Sequence, residues 1–320
     1  MTELGTRADP NRKGGTLRSL VRWLVPIAVL AGFALSGHVG EAIRALGQVE
    51  IQWALPLIAI GVGLPVSHAW RWCSLLERTG ERIERSVSMR ITALASLLNY
   101  SAPGFVGAPA KAILARDARS IPVSRSLPTL IVEQMLDALL LVIGGGVALI
   151  LAGPAVISAL GGTVSGNDLV IAAAFLGLVA LILAVAGIAV RSLMPGFFDA
   201  IRSGTGELMS SDQHRLPILV LTGTRWLLDM AAIGLASIAV GLRLSVVEIL
   251  LIGNLALLIG MVAPVPGGLG VREATMAAVA GVLGVSIPAI LALSVLHRAG
   301  LSIGLPLTLG LSRLLEWRGR

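Results

Sequence analysis

The chain is short of charge. Asp, Glu, Lys and Arg make up 13% of its 320 residues, against about 25% in soluble domains. With 55% hydrophobic residues, its apolar runs are too many and too long for a water-soluble core. The composition predicts an all-α polytopic membrane protein. Cysteine is nearly absent, and the single Cys73 excludes an internal disulfide and a thiolate metal site. His38, His68, His214 and His297 are scattered without ligand spacing, so no metal or other cofactor is expected. Catalytic signatures are missing as well. There is no Gly-x-Ser-x-Gly, His-Glu-x-x-His, P-loop or dinucleotide-binding glycine pattern. No polar loop exceeds about 25 residues, which argues against a grafted catalytic domain and against an enzyme.

What charge there is falls mostly between the apolar runs. The net charge of +7 could suggest nucleic acid, but the basic residues read as topology signals and contacts to anionic lipid. Residues 1–17 are polar and read as a disordered cytoplasmic tail, with one transmembrane domain over 18–315. About six full spans are expected, near 20–36, 51–76, 127–151, 168–190, 216–240 and 287–311. No cleavage site follows the first, so it reads as an uncleaved span. The loops at 77–90 and 191–215 are basic and 153–167 has no Lys or Arg. Both termini are therefore placed in the cytoplasm, in a bacterial inner membrane. Trp70, Arg71 and Trp72 suit the headgroup level.

Two apolar stretches are broken. Residues 91–102 are too short to span and end in Asn99-Tyr100-Ser101-Ala102-Pro103-Gly104-Phe105-Val106-Gly107. The second, 249–285, is interrupted by Pro264-Val265-Pro266-Gly267-Gly268-Leu269-Gly270-Val271-Arg272-Glu273. Prolines and glycines at this density cannot continue a helix. Unpaired backbone at membrane depth must be buried in protein or line a wet cavity. Each break reads either as a connecting turn or as the tip of a re-entrant hairpin. Pro-Gly-x-x-Gly recurs with prolines at 103 and 266, an offset of 163 residues. Polar pairs follow, Glu133-Gln134 and His297-Arg298. The loop charges give the two units opposite orientations, an inverted repeat that favours alternating access to a midplane site.

Ionisable residues lie inside these segments at a cost of about 2.5–3.5 kcal/mol each. Glu133 and Asp137 share a helix face, as do Arg225 and Asp229. Glu248 falls within the run before the second break. Two like charges on one face mean that at least one of Glu133 and Asp137 needs a proton or a basic partner, for which Arg225 and Arg298 are candidates. Glu273 opens a helix, where it serves as a cap or balances Arg272 or Arg298. Lys111, near the helix start at Pro109, suits a phosphate headgroup. Structural pairing is the alternative for each charge, and packing for His297.

Arg71-Trp72 with Leu75-Leu76, Asn99…Pro103-Gly104-x-x-Gly107, the Pro264–Glu273 block and His297-Arg298 together resemble the transmembrane, flippase-like region of lysylphosphatidylglycerol synthases and their stand-alone relatives. The likeness covers about residues 18–315, with Gln134 where an Arg often follows Glu133. It implies a protein that moves a lipid, anionic or polyprenyl-linked, between leaflets. The aminoacyl-transferring activity belongs to a separate soluble domain not expected in this chain. Implied substrate-binding or gating residues are Asn99, Pro103, Gly104, Gly107, Lys111, Glu133, Pro266, Gly267, Gly268, Gly270, Arg272, Glu273 and Arg298. The partners expected are a membrane lipid and lipid-synthesis enzymes. The alternatives are a non-transporting subunit of a lipid or glycolipid synthesis complex, and an intramembrane lipid-modifying enzyme.

Overall fold

A computed structural model describes residues 38–47, 49–101, 106–159, 215–263 and 265–318. Among them there are nine α-helices and no strand: α1 His38–Gly47, α2 Ala54–Glu77, α3 Arg85–Ser101, α4 Gly107–Arg119, α5 Val123–Ala159, α6 Arg215–Ala239, α7 Val246–Val262, α8 Val271–Val282 and α9 Ile287–Arg318. Four segments, built on α2, α5, α6 and α9, are long and apolar enough to cross a bilayer. The fold is that of an all-α polytopic membrane protein. The spans expected near 20–36 and 168–190, the loop 191–215 up to its last residue, and Pro103 and Gly104 lie outside the described residues.

The described helices fall into two series of the same form: long, short, short, long. Their starting residues pair as 54 and 215, 85 and 246, 107 and 271, 123 and 287, so the offset stays between 161 and 164. The short helices have 17 and 13 residues in the first series and 17 and 12 in the second. At 1.5 Å per residue these are about 18–26 Å long, below the ~30 Å of a hydrocarbon core.

Each short pair folds back on itself. At the base of the first, Arg119 Nε donates to Glu84 Oε2 at 2.7 Å, while Val87 and Ile91 share a buried cluster with Ala112 and Ala115. In the second, Val247 and Leu250 near the start of α7 pack with Val279 and Leu283 at the end of α8. The α3 helix starts at Arg85 rather than near 91, because its first turns are already buried. Val87, Ser88 and Met89 face the bundle, and Ser88 Oγ donates to the Ala69 carbonyl at 2.9 Å.

The two series run in opposite directions. Along α2 and α6 the meeting residues are Leu57 with Ile233, Gly63 with Leu228, Arg71 with Thr222 and Leu75 with Ile218. One number rises as the other falls, so these leading helices are antiparallel. By contrast α2 and α9 run parallel, with Leu57 at Gly300 and Gly61 at Gly304. Small residues let those two backbones touch. A Cβ on Gly304 would overlap the Gly61 carbonyl, the small-residue contact that packs membrane helices closely. On the other side α5 meets α7 through Leu141 with Leu258, Gly144 with Asn254 and Ala148 with Leu251. Asn254 is fully buried there. It accepts from Trp226 Nε1 at 2.8 Å and donates to the Leu250 carbonyl at 2.7 Å.

Local chemistry sets the helix starts. Ser245 caps α7: its Oγ accepts from the Glu248 amide, and Glu248 Oε2 accepts from the Ser245 amide at 2.7 Å. Glu248, which falls in the apolar run before the second break, is thus engaged as a cap beside exposed Ser245.

Candidate functional site

The intramembrane charges collect into two groups, one per series. The first is built on α5. Glu133 lies 3.1 Å from Lys111 Nζ, 3.4 Å from Arg71 Nε and 3.0 Å from His68 Nε2. One turn on, Asp137 takes both terminal nitrogens of Arg71, at 2.5 and 3.0 Å, and Arg225 Nη1 at 2.8 Å. Arg225 also reaches Asp229, more loosely, at 3.9 Å. Arg71 further donates to Thr222 Oγ1 at 3.3 Å. Lys111 stands 4.4 Å over the Trp72 ring, whose Nε1 donates to Thr129 Oγ1 at 3.0 Å. Three cations face three carboxylates, so with His68 neutral the group carries no net charge.

Several expectations are corrected here. Arg71 and Trp72 are both 0% exposed, packed inside the bundle rather than turned towards headgroups. The carboxylates of α5 hold Arg71 inward, and only Trp70 is exposed, with Arg85 stacked on it at 5.2 Å. The partners of Glu133 are Lys111, Arg71 and His68 rather than Arg225 or Arg298. Arg225 pairs more closely with Asp137 than with its helix neighbour Asp229. Lys111 is buried and committed to Glu133, so it does not present a free ammonium to a headgroup.

The second group surrounds the second break. Gly267, Gly268 and Gly270 all have positive φ, a conformation costly for any residue with a Cβ. At Gly267 a Cβ would also lie 2.6 Å from the ring of Tyr100, and at Gly268 it would meet the Gly260 backbone at 2.9 Å. Pro266 begins a single 3-10 turn, and Gly270 precedes α8. Glu273 does both things that the sequence offered as alternatives. Its Oε2 accepts from the Gly270 amide at 2.7 Å, while Oε1 takes Arg298 Nε at 2.5 Å and Ser294 Oγ at 3.2 Å. Arg298 Nη1 in turn donates to the Gly267 carbonyl at 3.2 Å, tying α9 to the break.

Arg272 differs from every other buried cation described. It is 6% exposed, yet no described carboxylate lies within ion-pair distance. Its Nη2 sits 3.1 Å from His297 Nδ1. Its Nε, like Nη2 of Arg298, has no hydrogen-bond partner among the described residues. Two guanidinium groups and one carboxylate leave this group with a net charge of +1.

The tips of the two short pairs meet. Tyr100, near the end of α3, packs on Gly267 in the opposite break. Asn99, beside it, lies where α3 and α4 approach, since a Cβ on Gly107 would sit 3.1 Å from the Asn99 Cβ. The structure therefore brings Pro266, Gly267, Gly268, Gly270, Arg272, Glu273 and Arg298 together, with Asn99 and Gly107 at the facing tip. Lys111 and Glu133 belong to the separate, balanced group. Sequence reasoning missed His68 and Tyr100 as members, and took Arg71 for an interfacial anchor. The signal for Arg71 was its spacing of three from His68, which puts both on one face of α2.

Residues 20–310 match the model of a family described as the lysylphosphatidylglycerol synthase TM region. No curated protein matches the chain.

Proposed function

Because this chain belongs to the lysylphosphatidylglycerol synthase TM region family, and so has a membrane lipid-related role, we propose that it is a transporter that moves a lipid between leaflets. The cargo in this reading is an anionic or polyprenyl-type lipid, and both termini face the cytoplasm of a bacterial inner membrane. One observation carries the reading. The end of α3 meets the second break of a series that runs in the opposite direction, with Tyr100 on Gly267, beside a buried cation that has no acid within ion-pair distance among the described residues. Re-entrant hairpins of this kind suit a substrate site approached from either side in turn. The short helices fall below the thickness of a hydrocarbon core, which supports placing their tips within the bilayer.

The complete pairing of the first group favours a second reading, a non-transporting subunit of a lipid or glycolipid synthesis complex. That reading expects every intramembrane charge to be neutralised, and Arg272 speaks against it. An intramembrane enzyme is disfavoured because Glu133, Asp137 and Glu273 are each engaged by cations and so are poorly placed to shuttle protons.

The deciding experiment reconstitutes the chain in vesicles with a headgroup-labelled phosphatidylglycerol and follows quenching from outside. Movement beyond the protein-free rate, lost in Gly267→Val, is the expected result. Equal rates with and without protein, repeated for a polyprenyl phosphate, would leave the subunit reading.

A further inference from the structure

The charge count at the second break has a consequence for what it binds. A guanidinium has donors and no acceptor. Arg272 Nη2 lies 3.1 Å from Nδ1 and 3.5 Å from Nε2 of His297, against the ring rather than in line with either lone pair, and a proton on that ring would face the guanidinium groups of Arg272 and Arg298, so the imidazole is neutral in this arrangement. No described acid lies within ion-pair distance of Arg272. On α8, Glu273 is taken by Arg298 and the Gly270 amide. On α9 itself the neighbours are Arg298 and Ser294. From α6 comes Asp229, which Arg225 reaches only at 3.9 Å and which shares its charge between Arg225 and Arg272; the cations of the two groups taken together still exceed the carboxylates by one. From α3 comes Tyr100, while Arg90 pairs with Glu316 at the far end of α9. The parts of α2 against α9 are Leu57 and Gly61, and α1 reaches Leu291 and Ala292 with Glu41 and Arg44 left exposed.

We infer that Arg272, Arg298 and His297 form a proton-linked site for a tetrahedral oxyanion. When empty, neutral His297 lies against Arg272 Nη2 with its lone pair free. An arriving oxyanion takes the two donors that have no hydrogen-bond partner among the described residues, Nε of Arg272 and Nη2 of Arg298. His297 then stands beside the bound anion. The site carries one uncompensated positive charge, so a monoanion neutralises it with His297 still neutral. A dianion leaves one negative charge, which a proton on His297 balances. Monoanions therefore bind without a proton, and dianions bring one with them. A phosphodiester headgroup and a free oxyanion share this chemistry. The inference rests on the transport reading for its lipid ligand, though not for its proton count.

The test uses two probes that do not titrate between about pH 5.5 and 8: sulfate as the free dianion and short-chain phosphatidylglycerol as the monoanionic headgroup. Binding to the full chain in detergent is measured by calorimetry in buffers of different ionisation enthalpy, which counts protons taken up. Sulfate is expected to carry about one proton and to bind roughly tenfold more tightly for each unit of falling pH. Phosphatidylglycerol is expected to carry none. His297→Gln should bind sulfate more weakly and without proton uptake. Arg272→Gln should lose both probes while remaining folded, since it removes a buried unpaired charge. Failure of both probes to bind, absence of proton uptake with sulfate, or uptake that persists in His297→Gln would each overturn the inference. Leaflet movement is measured on the same preparation. Movement without proton-linked binding removes this site alone, and loss of movement removes the transport reading.

Discussion

Replacing Glu273 by Gln tests the second break most sharply. The amide oxygen of Gln can still accept from the Gly270 amide, so the helix start is kept and that part of the change costs at most about 1 kcal/mol. The carboxylate also faces Arg298 Nε at 2.5 Å in a buried setting. Without it, Arg272 and Arg298 stand together with no acid between them, and the local charge rises from +1 to +2. Breaking a buried ion pair from one side typically costs about 3–5 kcal/mol, more than a hundredfold in any equilibrium that needs the intact site. Removing Arg298 instead is milder, because Glu273 keeps its bonds from Gly270 and Ser294. Glu273→Gln should therefore lose thermal stability in detergent and nearly all leaflet translocation. Arg298→Gln added to it should restore a substantial part of the stability by returning the charge to +1. The assay is a double-mutant cycle on both quantities, with membrane abundance measured for every variant. A fully active Glu273→Gln, or strictly additive losses in the cycle, would refute the charge argument and leave Glu273 as a cap.

The first group should behave as structure. Asp137→Asn removes the closest carboxylate of both Arg71 and Arg225 and should cut folded protein in the membrane severely, by about 3–5 kcal/mol, whereas Thr222→Val should cost about 1 kcal/mol; fluorescence-detected size exclusion separates the two. Gly304→Val should also fail to accumulate, because its side chain would meet the Gly61 carbonyl, while Gly310→Ala, which meets nothing within 4 Å, should not. For topology, Arg243→Cys should be labelled by an impermeant thiol reagent on intact cells and Arg82→Cys only after permeabilisation; the native Cys73 is buried and gives little background. Glu84→Gln at the base of the first hairpin should be nearly silent at neutral pH, since its pair with Arg119 is exposed. The Arg119 hydrogen bond holds the Glu84 carboxyl below its usual value. That small contribution is thus present above about pH 4.3 and lost as pH falls below it, which an acid titration of wild type against Glu84→Gln would show.

Much of this arrangement was legible because hydrophobic runs and glycine breaks are local signals. The long helices begin and end within a few residues of the apolar runs at 51–76, 216–240 and 287–311, except where α9 continues to Arg318. The pairs Glu273–Arg298 and Asp137–Arg225 followed from the need of a carboxylate in an apolar span for a cation. What the sequence hid were the choices among several available cations. Glu133 is served by residues 62 and 22 positions away, and no periodicity reports such separations. Arg71 was misread for a physical reason. It closes an apolar run between two tryptophans, the composition of an interfacial belt, and α2 is apolar on enough faces that its inward side does not stand out. The tightest helix contact was visible in principle as Gly300-x-x-x-Gly304, but its partner Gly61 lies in the other half of the chain.

The two series share one backbone plan and differ in electrostatics, and that difference separates scaffold from site. In the first, three helices converge on α5 and every described charge finds its opposite, with Arg71 held on four oxygens: one of Glu133, both of Asp137 and that of Thr222. Such a network resists rearrangement, because each displaced group would leave another uncompensated in low dielectric. In the second, one cation has no acid within ion-pair distance among the described residues and lies against an imidazole. A structural pair has no use for such a cation, since the same fold with a glutamine at 272 would avoid its desolvation cost. A buried cation kept beside backbone that glycines hold at positive φ is therefore best explained by an anion that is present for part of the protein's working cycle. On the proposed transport reading, the first half fixes the frame against which the second half binds and releases its cargo.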